Sequence, residues 1–118
     1  RSELPKVSPD TPMNQVLYEI SNKRLGLTTI VDEQDHLLGI FTDGDLRRLI
    51  DKQQGFDVNL PVSEVMTKKP STISQEARAV EALQQLNQKK ISQFVVVDDQ
   101  NKVIGVISMH DLIQAGVN

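Results

Sequence analysis

Cysteine is absent from the sequence, and aromatic residues make up only 3% of it. Without cysteine the chain can form neither a disulfide framework nor a cysteine-ligated zinc site, which is compatible with a reducing compartment. With few aromatics, the core must be built from aliphatic side chains, and hydrophobic residues account for 38% of the 118 residues. No apolar run approaches the roughly 20 residues that span a bilayer. We therefore expect one small cytoplasmic domain without a membrane partner.

A basic face and the common catalytic signatures are also missing. The net charge is −3 with both signs interspersed, whereas a nucleic-acid binder shows a basic patch. No P-loop, dinucleotide fingerprint or nucleophile elbow is present, and His36 and His110 are the only histidines. We therefore expect no catalysis, no metal and no resident cofactor in this chain, and no nucleic-acid partner.

What the sequence does contain is an internal repeat. Shifted by 66 residues, the sequence overlays itself without gaps. Both copies contain the motif Gly-x-x-Thr/Ser-x-x-Asp, at residues 39–45 and 105–111. We expect the first repeat at residues 1–55 and the second at residues 60–118. Where residues 25–49 fall on residues 91–115, the identical pairs are Val31/Val97, Asp32/Asp98, Gln34/Gln100, Gly39/Gly105, Asp45/Asp111 and Leu46/Leu112.

Each repeat predicts the order strand, helix, strand, strand, helix, and thus an α+β fold. Apolar residues recur at i, i+3, i+4 and i+7 from Met13 to Ile20, which is typical of an amphipathic helix. Pro12 suits its first position, after Thr11 or Asp10 as the cap. Short polar turns join the second and third strands, so these should pair antiparallel. The predicted strands are residues 6–8, 28–31, 37–41, 71–74, 94–97 and 103–107; the second repeat's first helix includes residues 79–86, and the final helices begin near Thr42 and Ser108.

The predicted strands are nearly continuous apolar runs, which indicates burial on both faces. A unit of about 50 residues buries little surface alone. We therefore expect the two repeats to pack sheet to sheet about a pseudo-twofold axis. A capped short helix at residues 60–67 precedes the second repeat, and its counterpart would precede residue 1. The first repeat should thus lack its opening segment, and we expect a longer parent protein that continues on the N-terminal side.

The repeated motif has two interpretations. Thr42-x-x-Asp45 and Ser108-x-x-Asp111 fit helix caps, in which the hydroxyl binds backbone N–H groups and the acid favours the positive helix end. The same groups can bind a ligand, because a helix start and a hydroxyl can hold a phosphate and an ionised aspartate can accept both hydroxyls of a ribose. One of the two arginines after the first motif, Arg47 and Arg48, could reach that phosphate; the alternatives are a solvated surface or a contact with the parent domain.

Tandem units of this order, with the motif at the last strand–helix junction, resemble a CBS domain pair, also called a Bateman module. The finer pattern of residues 39–48, 109–112 and 115–116 resembles the C-terminal module of bacterial arabinose 5-phosphate isomerases. Those enzymes join an N-terminal sugar isomerase domain to a CBS pair and supply the precursor of Kdo, a lipopolysaccharide sugar. The resemblance implies a regulatory module that binds a nucleotide or nucleotide-sugar, contacts the isomerase domain and forms a homodimer of CBS pairs. The alternative is a ligand-free dimerisation module.

In this family each of two clefts combines the motif of one repeat with the early strands of the other. The resemblance implies that Thr42 meets a phosphate, Asp45 the ribose, and Phe94 the base or its surroundings. We expect the first cleft to be the more complete one. The implied ligand-binding residues are Thr42, Asp45, Thr67, Lys68, Gln93 and Phe94 in the first cleft, and Ser108, His110 and Asp111, with Leu27 and Thr28, in the second.

Overall fold

The computed structural model describes residues 5–23, 26–53, 57–89 and 93–108, and the elements follow the predicted order. The α+β class and the tandem organisation are confirmed. The final helix expected near Ser108 lies outside the described residues. The elements are β1 (Lys6–Val7), α1 (Met13–Lys23), β2 (Leu27–Val31), β3 (Leu37–Thr42), α2 (Asp43–Gln53), a 3₁₀ turn (Val62–Glu64), β4 (Thr72–Ser74), α3 (Ala79–Lys89), β5 (Gln93–Val97) and β6 (Val103–Ser108).

The chain divides into two compact units, Arg1–Lys69 and Pro70–Asn118, and each contains a three-stranded sheet. The strand order is β1-β2-β3 in the first unit and β4-β5-β6 in the second. In each sheet the first pair of strands is parallel and the second pair antiparallel, so the predicted hairpins are confirmed. The packing of the two sheets about a pseudo-twofold axis stays a prediction.

The same turn chemistry closes both hairpins. Asp32 Oδ1 accepts hydrogen bonds from the backbone N–H groups of Gln34 and His36, at 2.8 and 2.9 Å. Asp98 Oδ1 accepts the N–H groups two and four residues later, at 2.9 Å each. Asp35 has a φ of 69° and its counterpart a φ of 65°, in the left-handed region that aspartate and asparagine tolerate better than most residues. The repeat is therefore preserved in backbone conformation as well as in sequence.

Each unit has its own core, which is largely aliphatic. β2 is buried along its whole length, as its apolar run predicts, but β3 alternates buried and half-exposed residues. Burial on both faces thus holds for β2, the central strand of its sheet, and not for β3. Within the described ranges, no helix is long and apolar enough to cross a bilayer. The buried cores are Met13, Val16, Ile20, Ile30, Phe41, Leu49 and Val62 in the first unit, and Ile73, Ala82, Leu86, Phe94 and Val96 in the second.

A short segment between the repeats pairs with the outer edge of β3. The N–H of Ile40 donates to the carbonyl of Thr67 at 3.0 Å, and the N–H of Thr67 donates back at 2.8 Å. Gly39 permits this approach, because a Cβ at this position would lie 2.6 Å from the Thr67 carbonyl oxygen and 2.7 Å from Met66 Sδ. The pairing places the side chain of Thr67 beside the carboxyl end of β3, where α2 begins.

Candidate functional site

The first copy of the repeated motif forms a reciprocal cap at the start of α2. Thr42, the last residue of β3, is the N-cap, and its Oγ1 accepts the N–H of Asp45 at 3.0 Å. In return, Asp45 Oδ2 accepts the N–H of Thr42 at 3.0 Å. This arrangement is a capping box with aspartate in place of the usual glutamate. For this first copy the structural interpretation of the motif is therefore correct, and the cap leaves the hydroxyl hydrogen of Thr42 available to a ligand.

Most backbone N–H groups at the start of α2 already have an acceptor within the protein. The N–H of Asp43 donates to the carbonyl of Gly26 at 3.0 Å, and the N–H of Asp45 donates to Thr42. Of the N–H groups in the first three helical positions, that of Gly44 has no acceptor among the described residues. A phosphate at this position would meet one backbone donor and one hydroxyl, fewer donors than a bare helix start offers.

The carboxylate of Asp45 is the centre of this cluster. Its side chain is 11% exposed, and it accepts two further donors besides the N–H of Thr42. Thr67 Oγ1 lies 3.2 Å from each carboxylate oxygen, and Arg48 Nη2 lies 2.6 Å from Oδ1. Thr67 is held in place by its backbone pairing with Ile40. The structure thus brings together three residues of the predicted first cleft, Thr42, Asp45 and Thr67.

The other residues of the predicted first cleft have different surroundings. Lys68 follows Thr67 and is exposed. Gln93 begins β5 in the second unit and is half-buried, while Phe94 is 1% exposed and packs in the second core. A core position already accounts for the aromatic side chain of Phe94. The roles of Lys68, Gln93 and Phe94 toward a ligand stay predictions.

The predicted second cleft falls partly within the described structure. Ser108 ends β6, as the equivalent threonine ends β3. His110 and Asp111 lie outside the described residues. Leu27 and Thr28 are buried in β2, and the Thr28 hydroxyl has no hydrogen-bond partner in the part of the chain that the structure covers. The ligand-binding role of this cleft stays a prediction.

The pairing of Arg48 with Asp45 was not among the expectations from the sequence. The signal that predicts it is the i, i+3 spacing of an acid and a base on one helix face. That spacing distinguishes Arg48 from Arg47, which lies two residues after Asp45 and has an exposed side chain. The contact between the carbonyl of Gly26 and the N–H of Asp43 has no local sequence signal, because it joins a loop to a helix that comes after two intervening strands.

A depression of about 470 Å³ lies at the opposite end of the first sheet. It is formed where β1 and β2 end, whereas the cluster lies where the antiparallel β3 ends. Lys6 at this depression pairs with Asp35 at 3.1 Å. None of its described lining residues, 6–10 and 31–33, is a predicted site residue. In the described ranges, no three histidine, aspartate or glutamate side chains converge to hold a metal ion.

Comparison with known proteins identifies the family. A family model described as CBS domain matches residues 1–52 and 62–118. The arabinose 5-phosphate isomerase KdsD of Francisella tularensis is 42% identical over 113 residues, which cover 96% of this chain and 34% of the relative. The isomerase of the same name from Pseudomonas aeruginosa is 44% identical over 115 residues, covering 97% of this chain and 35% of the relative. The chain thus spans about a third of the length of these relatives.

A solved structure has the same fold. The CBS domain protein of Pyrobaculum aerophilum complexed with AMP matches with a TM-score of 0.82 and 18% identity, covering 94% of this chain and 84% of that chain. At this identity the likeness establishes the fold and nothing further. The resemblance predicted from the repeated motif is confirmed.

Proposed function

The chain belongs to the CBS-domain family as a tandem pair, and on that premise we propose that it is the regulatory module of an arabinose 5-phosphate isomerase. In this proposal the module binds a nucleotide or nucleotide-sugar and modulates an isomerase domain on its N-terminal side. The observation that carries the proposal is the Asp45 carboxylate, held at a helix start beside the hydroxyls of Thr42 and Thr67. The isomerase relatives and the AMP complex of a structural neighbour support it.

The cluster offers complementary groups to the two polar parts of a ribose phosphate. An ionised carboxylate accepts hydrogen bonds and donates none, so Asp45 suits the vicinal hydroxyls of the ribose. The hydroxyl of Thr42 and the N–H of Gly44 are donors for the phosphate, and the positive end of α2 favours an anion. One acceptor for the ribose and two donors for the phosphate therefore lie within a single helical turn.

In this proposal, regulation arises because the ligand binds different arrangements of the module with different affinities. A ligand at Asp45 meets Thr67 in the segment between the repeats as well as Thr42 at the start of α2. Any arrangement of these elements that binds the ligand more tightly gains population when the ligand is present. The isomerase domain responds to the arrangement that the ligand favours.

Calorimetry with ribonucleoside monophosphates and nucleotide-sugars tests the binding site. We expect Asp45→Asn to lower the affinity at least about tenfold, because a hydrogen bond to a charged group contributes about 1.5–3 kcal/mol and tenfold corresponds to about 1.4 kcal/mol. Asparagine keeps an oxygen that can cap Thr42, so the fold is retained. Asp43→Asn is the matched control, since it removes the same charge from an exposed side chain of the same turn.

Equal affinities of Asp45→Asn and Asp43→Asn would place the ligand elsewhere. If no probe binds and the chain elutes as a stable dimer, the ligand-free dimerisation module is favoured instead. In the parent protein, the nucleotide that binds should change the rate of arabinose 5-phosphate isomerisation. Asp45→Asn should remove that response while leaving the rate without nucleotide unchanged.

A further inference from the structure

The guanidinium of Arg48 lies at the end of its helix that disfavours a cation. Its Nη2 is 2.6 Å from Asp45 Oδ1. A Cβ placed on Gly44 would lie 3.6 Å from both Arg48 Nη1 and Thr42 Oγ1, so the guanidinium folds back over the first turn of α2. This end of a helix carries a partial positive charge. The Asp45 carboxylate is what holds a cation there.

Only one partner of the ion pair, Arg48, is exposed to solvent. The side chain of Arg48 is 73% exposed, whereas that of Asp45 is 11% exposed. Ion pairs with one exposed partner contribute little net stability. No described residue other than Asp45 binds the guanidinium, so most of its five N–H donors face solvent. A planar donor with several free N–H groups matches the oxygens of a phosphate.

The Asp45 carboxylate cannot keep all of its donors and also bind a diol. A carboxylate has about four lone-pair sites, and the Thr42 N–H, the Thr67 hydroxyl and Arg48 occupy three of them. Two ribose hydroxyls therefore displace at least one donor. Thr42 is bound through the helix cap, and Thr67 is held by two backbone hydrogen bonds. Arg48 is the donor that leaves most easily.

We propose that Arg48 makes the site selective for a phosphorylated ligand over the corresponding nucleoside. When ribose hydroxyls occupy Asp45, the guanidinium exchanges the carboxylate for the phosphate of the same ligand, beside Thr42 and Gly44. A nucleoside displaces Arg48 from Asp45 without offering it another anion, and so binds more weakly. This inference rests on the proposed nucleotide site and adds the residue that determines its specificity.

The test is calorimetry on the 118-residue chain with each ribonucleoside 5′-monophosphate and its own nucleoside. Arg48→Ala should lower the affinity for the monophosphate about 3- to 100-fold, because the loss of a charge-assisted bond outweighs the gain from removing the competing pair. The affinity for the nucleoside should stay the same or rise up to about fivefold, because the exposed pair no longer competes for Asp45. Arg47→Ala is the matched control, with the same charge change on an exposed side chain outside the cluster, and it should change neither affinity more than about twofold.

Thermal melting of each variant verifies that the fold is retained. The inference is overturned when the unaltered chain binds a monophosphate and Arg48→Ala weakens monophosphate and nucleoside equally, or weakens neither. Failure of the unaltered chain to bind any monophosphate overturns the inference, and the proposed site falls with it when the nucleotide-sugars also fail to bind. A loss confined to the monophosphate supports both.

Discussion

Replacing Gly39 with alanine should loosen the segment that covers the edge of β3. The new Cβ would lie 2.6 Å from the carbonyl oxygen of Thr67 and 2.7 Å from Sδ of Met66. The end of the methionine side chain can turn away, but the carbonyl belongs to a backbone that is paired with Ile40. The substitution therefore pushes the backbone of Thr67 away from the sheet.

The magnitude follows from the two hydrogen bonds between Thr67 and Ile40, which are 2.8 and 3.0 Å long. A backbone hydrogen bond contributes about 0.5–1.5 kcal/mol net, so the loss of both lowers the free energy of unfolding by about 1–3 kcal/mol. Gly105→Ala is the matched control from the second repeat, because the nearest described atom to its Cβ would be Val96 Cβ at 3.9 Å. It should be neutral or stabilise by up to about 1 kcal/mol, since alanine restricts the unfolded chain.

Equilibrium urea denaturation measures both variants. With an m-value of about 1.5–2 kcal/mol/M, the midpoint of Gly39→Ala should fall by about 0.5–2 M. Amide hydrogen exchange should become faster at Ile40 and Thr67 while the β5–β6 hairpin keeps its protection. Midpoints for Gly39→Ala and Gly105→Ala that agree within about 0.2 M would refute the conclusion that close approach of Thr67 requires this glycine.

Two further predictions concern the first sheet. Thr28→Val should stabilise the chain by about 1 kcal/mol, because it removes a buried hydroxyl with no partner among the described residues. Thr29→Val should destabilise by a similar amount, because its Oγ1 donates to a backbone carbonyl at 2.7 Å; urea midpoints that shift in the same direction would contradict this contrast. Slight burial raises the pKa of Asp32, but hydrogen bonds from the N–H groups of His36 and Gln34 and from the His36 ring outweigh it and lower the pKa from 3.8. The stabilisation from these bonds is therefore fully present above the pKa of Asp32 in the unfolded chain, and it is lost as pH falls through the pKa in the folded chain. An NMR titration of the Asp32 carboxyl with a midpoint at or above 3.8 would argue against this lowered pKa.

The fold was predictable largely because both repeats contain the same local sequence patterns. The helical spacing from Met13 to Ile20, the β-branched β2 and the aspartate turn at Asp32 each have a counterpart in the second repeat. Local patterns of this kind determine element order and hairpin pairing. They do not determine what covers an exposed strand edge, because the partner of β3 is a segment that follows a helix and a loop. The pairing of Thr67 with the edge of β3 therefore emerged only from the structure, as did the alternating burial along that strand.

In the candidate site too, local sequence patterns predict some residues but not the contacts between distant segments. Thr42 and Asp45 are predictable because a hydroxyl and an acid three residues apart form a local pattern. The contact from Thr67 to Asp45 spans 22 residues, and only the resemblance to the family placed these residues in one cleft. The direction of an exposed side chain such as Arg48 depends on a balance of weak interactions, which the motif does not encode. The N–H of Asp43 is satisfied by a carbonyl that no sequence pattern identifies.

Val62 is fully buried in the first core, although it follows the first repeat in the sequence. On the ribosome, the helices and strands up to residue 53 therefore emerge without the piece that completes their hydrophobic interior. At about 5–20 residues per second, synthesis takes about 1–3 s more to reach Thr67. During that interval the nascent first half exposes apolar surface to chaperones and proteases, and a recombinant fragment that ends at residue 55 keeps that vulnerability permanently.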